Sequence, residues 1–351
     1  MTAIAHSGLA CPMPIPTADR VQLGHGSGGK LSAALIGGLF MRALDNPALA
    51  QMGDGAVVTA GATDLVVSTD SFVVSPLEFP GGDIGSLAVH GTLNDVAMMG
   101  ARPLCLTAGF VLEEGLPMAT LERIVASMAR AAKLAGISIV AGDTKVVERG
   151  KADGLYVNTT GIGLLHPHCR PGPRGARAGD VVIVSGALAR HGMAIMAARE
   201  GFNFESSITS DSACLVPLVD RLTASGVEVH VLRDPTRGGV ASALNEIAAA
   251  SRVAMVLEEE ALPVPDNVRA ACEMLGFDPL YVANEGVMLA IVPAADAATT
   301  VEALQSHALG RDATVIGRVV SEPQATVLMR TALGGTRIVD LLPGDQLPRI
   351  C

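Results

Sequence analysis

The sequence predicts an α+β protein built from two α/β-type halves. Three observations carry that expectation. The 351 residues exceed what one ordinary core serves. Strand-like and helix-like periods alternate through the chain twice. A Gly-, Pro- and Arg-dense stretch, HPHCRPGPRGARAG at 166–179, separates the two runs.

Taken in order, residues 1–19 are punctuated by proline without periodicity, which predicts a mobile leader. A first domain is expected over 20–165. Within it, 65–69 and 137–141 read as buried strands, and 84–99 as an apolar helical stretch broken by Asn94 and Asp95. Leu121, Ile124, Val125, Met128 and Ala132 recur at helical spacing before Gly136, a C-terminal stop. After the connector at 166–179, the second domain is expected over 180–333. Its strands are read at 181–184, 229–232, 253–257, 287–292 and 315–320, and its helices at 194–200 and 239–250. In 334–351, Pro343, Gly344 and Pro348 oppose a closing helix, so a flexible tail ending in Cys351 is expected.

Composition narrows the function classes. Hydrophobic residues make up 49%, yet glycines, prolines and charges break every apolar run short of the ~20 residues a membrane helix needs. Aromatics are 3%, without tryptophan, so stacking platforms for single-stranded nucleic acid are not expected. A formal net charge of -10 disfavours polyanions, leaving small molecules or proteins as partners, with neither nucleic acid nor membrane. The N-terminal MTAIAHSGLACPMPIP has no basic region ahead of a long apolar one, which predicts the cytoplasm. The six cysteines form no CxxC pair. Cys105, Cys214 and Cys272 read as small hydrophobes, while Cys351 stands apart.

The chemistry is expected at strand ends. Asp70, Asp143 and Asp234 each follow an apolar run where a turn begins, the place at which open sheets hold ligands. Asp234 precedes Pro-Thr-Arg-Gly-Gly and a helix, a setting for phosphate and a hard cation. Asp95 in an apolar helix needs a partner, which Mg²⁺ would supply. Singly, such acids are more often turn or capping residues, as is Asp54 in MGDGAVV; together they favour Mg²⁺ over zinc. GHGSGGK, ending at Lys30, reads as a glycine-rich lid over a nucleotide or as a plain loop, since the Walker spacing fails. Lys145 and Glu285 are candidates for acid-base work, although such residues are usually only solvated. His166, His168 and Cys169 could bind a soft metal, but such short spacing in a Pro-rich connector is more often incidental.

Several long blocks then carry a resemblance: HGSGGK, STDSFVVSPLEFPGGDIGSLAVHGTLNDVAMMGARP, GFVLEEGLPM, VAGDTKVVERG, RDPTRGGV, ANEG and the terminal PRIC. From about Gly24 to Cys351 the chain resembles the HypE family of hydrogenase maturation factors. That family lies within the aminoimidazole ribonucleotide synthetase superfamily, which also contains selenophosphate synthetase. The resemblance implies a two-domain fold, a homodimer formed through the sheet of the first domain, and a second domain closing over ATP. It implies metal and nucleotide acids at Asp54, Asp70, Asp95 and Asp234, with Asp83, Asn94, Asp143 and Thr144 in adjoining ATP-site motifs. MGDGAVV departs from the paired Asp-Asp-Ala of many relatives.

For activity, the resemblance implies that a carbamoyltransferase, HypF, loads a carbamoyl group onto the Cys351 thiol. ATP then phosphorylates the amide oxygen, and dehydration leaves S-cyanate, ADP and phosphate, with Lys145 and Glu285 handling protons or, as the alternative for Lys145, stabilising negative charge on phosphate. The cyano group would pass to iron on a HypC–HypD scaffold that builds the Fe(CN)₂CO unit of nickel-iron hydrogenase. A tail of about 30 Å from Pro343 would let the thiol reach an internal site. Two other readings stay open here: an ATP-dependent small-molecule synthetase that needs no Cys351, and a non-catalytic thiol carrier.

Overall fold

The computed structural model describes residues 19–201, 208–342, 344, 347 and 349–351. All but the last residue of the expected leader therefore lies outside the described residues.

The chain enters through short helical turns, α1 (Lys30–Leu35) and α2 (Met41–Ala43), joined by a π-helical turn at Ile36–Phe40. Five strands then build the first sheet: β1 (Ala56–Ala60), β2 (Thr63–Phe72), β5 (Ala101–Glu113), β6 (Ser138–Val147) and β7 (Leu155–Leu165). Their order is β1-β2-β7-β5-β6, with only β5 and β6 parallel. A two-stranded ribbon, β3 (Glu78–Phe79) with β4 (Gly82–Asp83), leads into α3 (Ile84–Met98). α3 lies on one face of this sheet and packs against α4 (Met118–Leu134). Ile84, Leu87, Leu93 and Val96 of α3 are fully buried there, each worth about 1.5–3 kcal/mol of apolar transfer. The other face leaves Val58, Leu104 and Leu164 exposed.

The second sheet holds β8 (Asp180–Val184), β9 (Val231–Arg233), β10 (Ala254–Glu258), β11 (Leu289–Pro293), β12 (Thr314–Val320), β13 (Thr326–Arg330) and β14 (Thr336–Ile338). Their order is β14-β13-β10-β12-β8-β11-β9. Five helices cover it: α5 (Arg190–Glu200), α6 (Val216–Ser225), α7 (Gly239–Ser251), α8 (Asp266–Leu275) and α9 (Ala297–Gln305). Alternation along the strands divides the helices between two faces. Val182, Val184, Leu289 and Ile291 join the core that holds α5, α7 and α8, while Ile183, Ala290 and Val292 join α6 and α9. Both cores continue into the first domain, through Phe72 and Val74 on one side and Ala97 and Met98 on the other.

Three expectations change. The strand expected at 137–141 is longer and almost wholly exposed, because β6 is an edge strand left uncovered on its outer faces. Val125 is 43% exposed although it fits the helical period, since Ile124 beside it takes the inward position. The stretch 334–351, expected as a flexible tail, carries β14, which pairs with β13. Its terminal residues are seated inside the molecule rather than extended into solvent: Ile350 and Cys351 are buried.

Candidate active site

Burial dominates the chemistry of the acids. Asp54 follows Gly53 in the turn before β1, Asp95 projects from α3, and Asp234 follows β9. Carboxylate oxygens of these three lie within 4.8 Å of one another. Desolvation pushes Asp54 up to about 7 and Asp234 up to about 6. Asp95 is raised well above the carboxylate range by desolvation, then by Asp234, Asp70 and Asp54. Asp70, raised by burial, completes the repulsive group, and its Oδ1 accepts from Ser71 N at 2.7 Å. Ser68 supports the cluster: its hydroxyl lies 2.8 Å from Asp95 Oδ2 and 2.7 Å from the Asp54 carbonyl oxygen. Crowded carboxylates held in their protonated form by burial and mutual repulsion fit a hard divalent cation with oxygen ligands. Asp54, Asp95 and Asp234 are the residues placed to hold it.

Two arginines link the acids to the end of the chain. Arg233 pairs with Asp54 at 2.6 Å and with Glu246 at 2.8 Å. The positive charge of Arg237 is stabilised first by Cys351, then by Asp70, Glu285 and Asp95. Arg237 and Cys351 line one narrow cavity of about 70 Å³, with Ser27, Ser242, Tyr281 and Ile350. Beside it Glu285 is 3% exposed, and its Oε1 has no hydrogen-bond partner among the described residues. Desolvation, then Asp234, Asp70 and Asp211, raise its carboxyl well above the usual range. A base held ready by its surroundings has this character.

The glycine-rich segment leans on the same cavity. A Cβ on Gly28, which has φ +76°, would sit 2.9 Å from the Arg237 carbonyl oxygen, and one on Gly29 would sit 2.5 Å from that of Leu342. Only glycine permits this approach. Lys30 itself turns aside to pair with Asp340 at 2.7 Å.

Several residues singled out from the sequence take other places. Asp83 caps α3, its Oδ1 accepting from Gly85 N at 2.8 Å and Ser86 N at 3.0 Å. Asn94 is 1% exposed and staples α3 to the second domain: Nδ2 donates to the carbonyls of Ala213 and Glu285, and Oδ1 accepts from Leu215 N at 2.7 Å. Its amide is spent on backbone and does not face the acids as a ligand. Asp143, Thr144 and Lys145 lie on the exposed strand β6, where Lys145 pairs with Asp143 at 2.7 Å. They stand apart from the acid cluster of their own chain. His166 and His168 are ring neighbours with centroids 6.0 Å apart, and Cys169 is buried; they are absent from the one metal-competent group found among the described residues.

Sequence reasoning missed the arginines as site residues. RDPTRGGV contains both, but only the fold shows that Arg233 turns toward Asp54 and Arg237 toward Cys351.

Comparison with known proteins adds a second line. The family profile "AIR synthase related protein, N-terminal domain" matches residues 52–165 and its C-terminal counterpart matches 177–330. The carbamoyl dehydratase HypE of Cupriavidus necator is 53% identical over 353 residues, covering 100% of both chains. The chain belongs to the HypE family of AIR synthase related proteins. Its fold agrees with solved members. A HypE–HypF complex superposes with a TM-score of 0.84 at 47% identity, covering 88% of this chain and 100% of that one. A HypE in complex with ATP gives 0.80 at 48% identity, covering 95% and 100%. Against this HypE background the two-domain α+β expectation holds, and no helix among the described residues is long and apolar enough to cross a membrane.

Proposed function

We propose that this chain is an ATP-dependent carbamoyl dehydratase that acts on a carbamoyl group carried by the sulfur of Cys351, supplying cyanide for the Fe(CN)₂CO centre of nickel-iron hydrogenase. The observation that carries this reading is the placement of Cys351 in one cavity with Arg237, whose charge is also stabilised by Asp70, Glu285 and Asp95. A free-substrate synthetase has no need of a thiol there.

The overall reaction balances as R–S–C(=O)NH₂ plus ATP giving R–S–C≡N, ADP and phosphate. Transfer of the γ-phosphoryl group to the amide oxygen turns a poor leaving group into phosphate, and the C–O bond then breaks while nitrogen loses its protons. Arg237 lines the cavity that holds Cys351 and would supply fixed positive charge to stabilise the oxygen anion as it develops. Glu285, buried and lacking a partner at Oε1 among the described residues, is placed to take an N–H proton. The N-terminal end of α7 meets the same cavity through Gly238 and Ser242, offering backbone N–H groups to phosphate. Asp54, Asp95 and Asp234 would hold Mg²⁺, which would supply neutralisation of phosphate charge, with Asp70 alongside.

Lys145, with Asp143 and Thr144, enters this reading through a homodimer. Support comes from the unpaired outer edge of β6, from Val140 and Val146, which are 62% and 67% exposed on it, and from Val58, Leu104 and Leu164 on the same domain's open sheet face. A second copy covering that face would carry its own Lys145 strand toward a neighbour's site. The protein partners in this reading are HypF, which loads the thiol, and the HypC–HypD scaffold, which accepts the cyano group. Consumption of ATP fits the cytoplasm.

Single-turnover phosphate release is the test. One phosphate per carbamoylated Cys351 supports the dehydratase. Release that is independent of carbamoylation, or unchanged in Cys351→Ala, favours the free-substrate synthetase.

A further inference from the structure

The end of the chain is read by four donors, two on 73–75 and two on α5. Val73 N donates to the Cys351 carbonyl oxygen at 3.0 Å and Ser75 N to that of Arg349 at 3.3 Å, so the tail adds along 73–75 in the manner of an extra strand. The carbonyl between them points the other way and meets α5: His191 Nε2 lies 3.0 Å from Ile350 O. Arg199, eight positions along α5, donates to Arg349 O at 2.9 Å and Ser75 O at 2.7 Å.

His191 is fully buried and does not end at the tail. A carbonyl oxygen only accepts, so Nε2 carries the hydrogen. On the far side, Nδ1 lies 2.8 Å from Ser210 Oγ. Ser210 Oγ in turn accepts from Ser212 N at 3.0 Å. Between these serines, Asp211 Oδ2 accepts from Glu285 N at 3.2 Å and Gly286 N at 3.0 Å, while Ala213 N donates to Glu285 O at 3.5 Å. The turn at 210–213 therefore holds the backbone of Glu285 from both sides. Hydrogen bonds run from Ile350 O through His191 to Ser210, and the covalent turn from Ser210 to Ala213 continues the link to the backbone of Glu285.

We infer that His191 is a positioning residue that makes the placement of Glu285 depend on the seated tail, through Ser210 and Asp211. This deepens the dehydratase reading and rests on it. With the tail withdrawn, Nε2–H loses its acceptor at Ile350 O, and the ring is freed to turn and release Ser210. The site then closes around Glu285 only when the thiol has arrived. This couples base placement to delivery of the carbamoyl group and loosens it once the product leaves.

Hydrogen exchange on the full-length protein and on a chain lacking residues 349–351 tests the coupling directly. The amides of Glu285 and Gly286 are expected to lose protection by about tenfold or more without the tail, and by a similar factor in His191→Ala with the tail intact. Unchanged protection at both amides in the tail-less chain overturns the inference.

Kinetics supply the second arm. In His191→Ala, carbamoyl loading and KM for ATP are expected to stay near wild type while dehydration kcat falls by about 10- to 100-fold. His191→Gln, which restores an N–H toward Ile350 O, is expected to recover most of that loss, and His191→Phe none. Equal loss in Gln and Phe variants assigns His191 to packing alone and overturns the inference. Failure of carbamoylated wild-type protein to release phosphate instead removes the dehydratase reading, so the two failures are distinguishable.

Discussion

Arg233 Nη1 lies 2.6 Å from Asp54 Oδ1, and Asp54 is 9% exposed at its side chain. The acid comes from the turn before β1 in the first domain and the base from the end of β9 in the second, so this ion pair holds the two domains together beside the acid cluster. Replacing Arg233 by Ala leaves Asp54 buried next to Asp95 and Asp234 without its main positive neighbour. The expected cost is about 3 kcal/mol in urea unfolding, because breaking one side of a buried pair strands the other.

The acids oppose the metal-free fold and serve the bound one. Asp95→Asn is expected to raise the melting temperature in chelator, since it removes repulsion with Asp54, Asp70 and Asp234. The same change is expected to lower ATP-dependent phosphate release by about 100-fold. A variant that gains no stability in chelator, or retains full turnover, contradicts this assignment.

Stability should fall as pH rises, and the sign follows from the raised carboxyls. Asp54 moves from 3.8 to about 7 and Asp234 from 3.8 to about 6, so the native state binds more protons than the unfolded chain in this window. Their contribution to stability is therefore lost as pH climbs from about 4 to about 7. Melting curves in chelator at about pH 5 and about pH 8 should show this loss, and Mg²⁺ should remove most of it by holding the acids ionised.

Asn94→Ala separates a staple from a nucleotide ligand. Loss of its bonds to Ala213, Leu215 and Glu285 is expected to cost about 2–3 kcal/mol of stability. KM for ATP should change by less than about threefold, as for a residue that makes no nucleotide contact. A large rise in KM with unchanged stability would return Asn94 to the ATP site.

Much of the architecture was legible because local signals and packing agree. The strand at 181–184 and the helix at 239–250 coincide with β8 and α7, where apolar residues follow the period of two and of 3.6. β5 and β7, central to the first sheet, escaped notice. Pro103, Gly109, Gly161 and Gly163 interrupt their apolar runs, and α3 approaches so closely that a Cβ on Gly163 would sit 2.4 Å from Val96. Those glycines read as breaks in sequence and act as contact surface in the fold.

At the site, strand-end position identified Asp234, which follows β9; the same rule selected Asp70, which joins the acids although it lies inside β2, the strand running on to Phe72. The same rule also selected Asp143, which lies in the middle of the edge strand β6: the strand runs on to Val147 instead of turning, and sequence does not give strand order. Asn94 and Asp95 are adjacent in sequence yet point about 100° apart around α3, one into backbone of the second domain and one into the acid group. The tail partners of Arg237 and His191, Cys351 and Ile350, lie more than 100 positions away, beyond any local pattern.

The most direct test of the central claim is the mass of the C-terminal peptide after HypF-dependent carbamoylation and addition of Mg-ATP. The account predicts loss of one water from the carbamoylated Cys351 peptide, dependent on ATP and on Glu285. A carbamoyl adduct that persists at full mass in the presence of Mg-ATP would contradict it and leave a thiol carrier in its place.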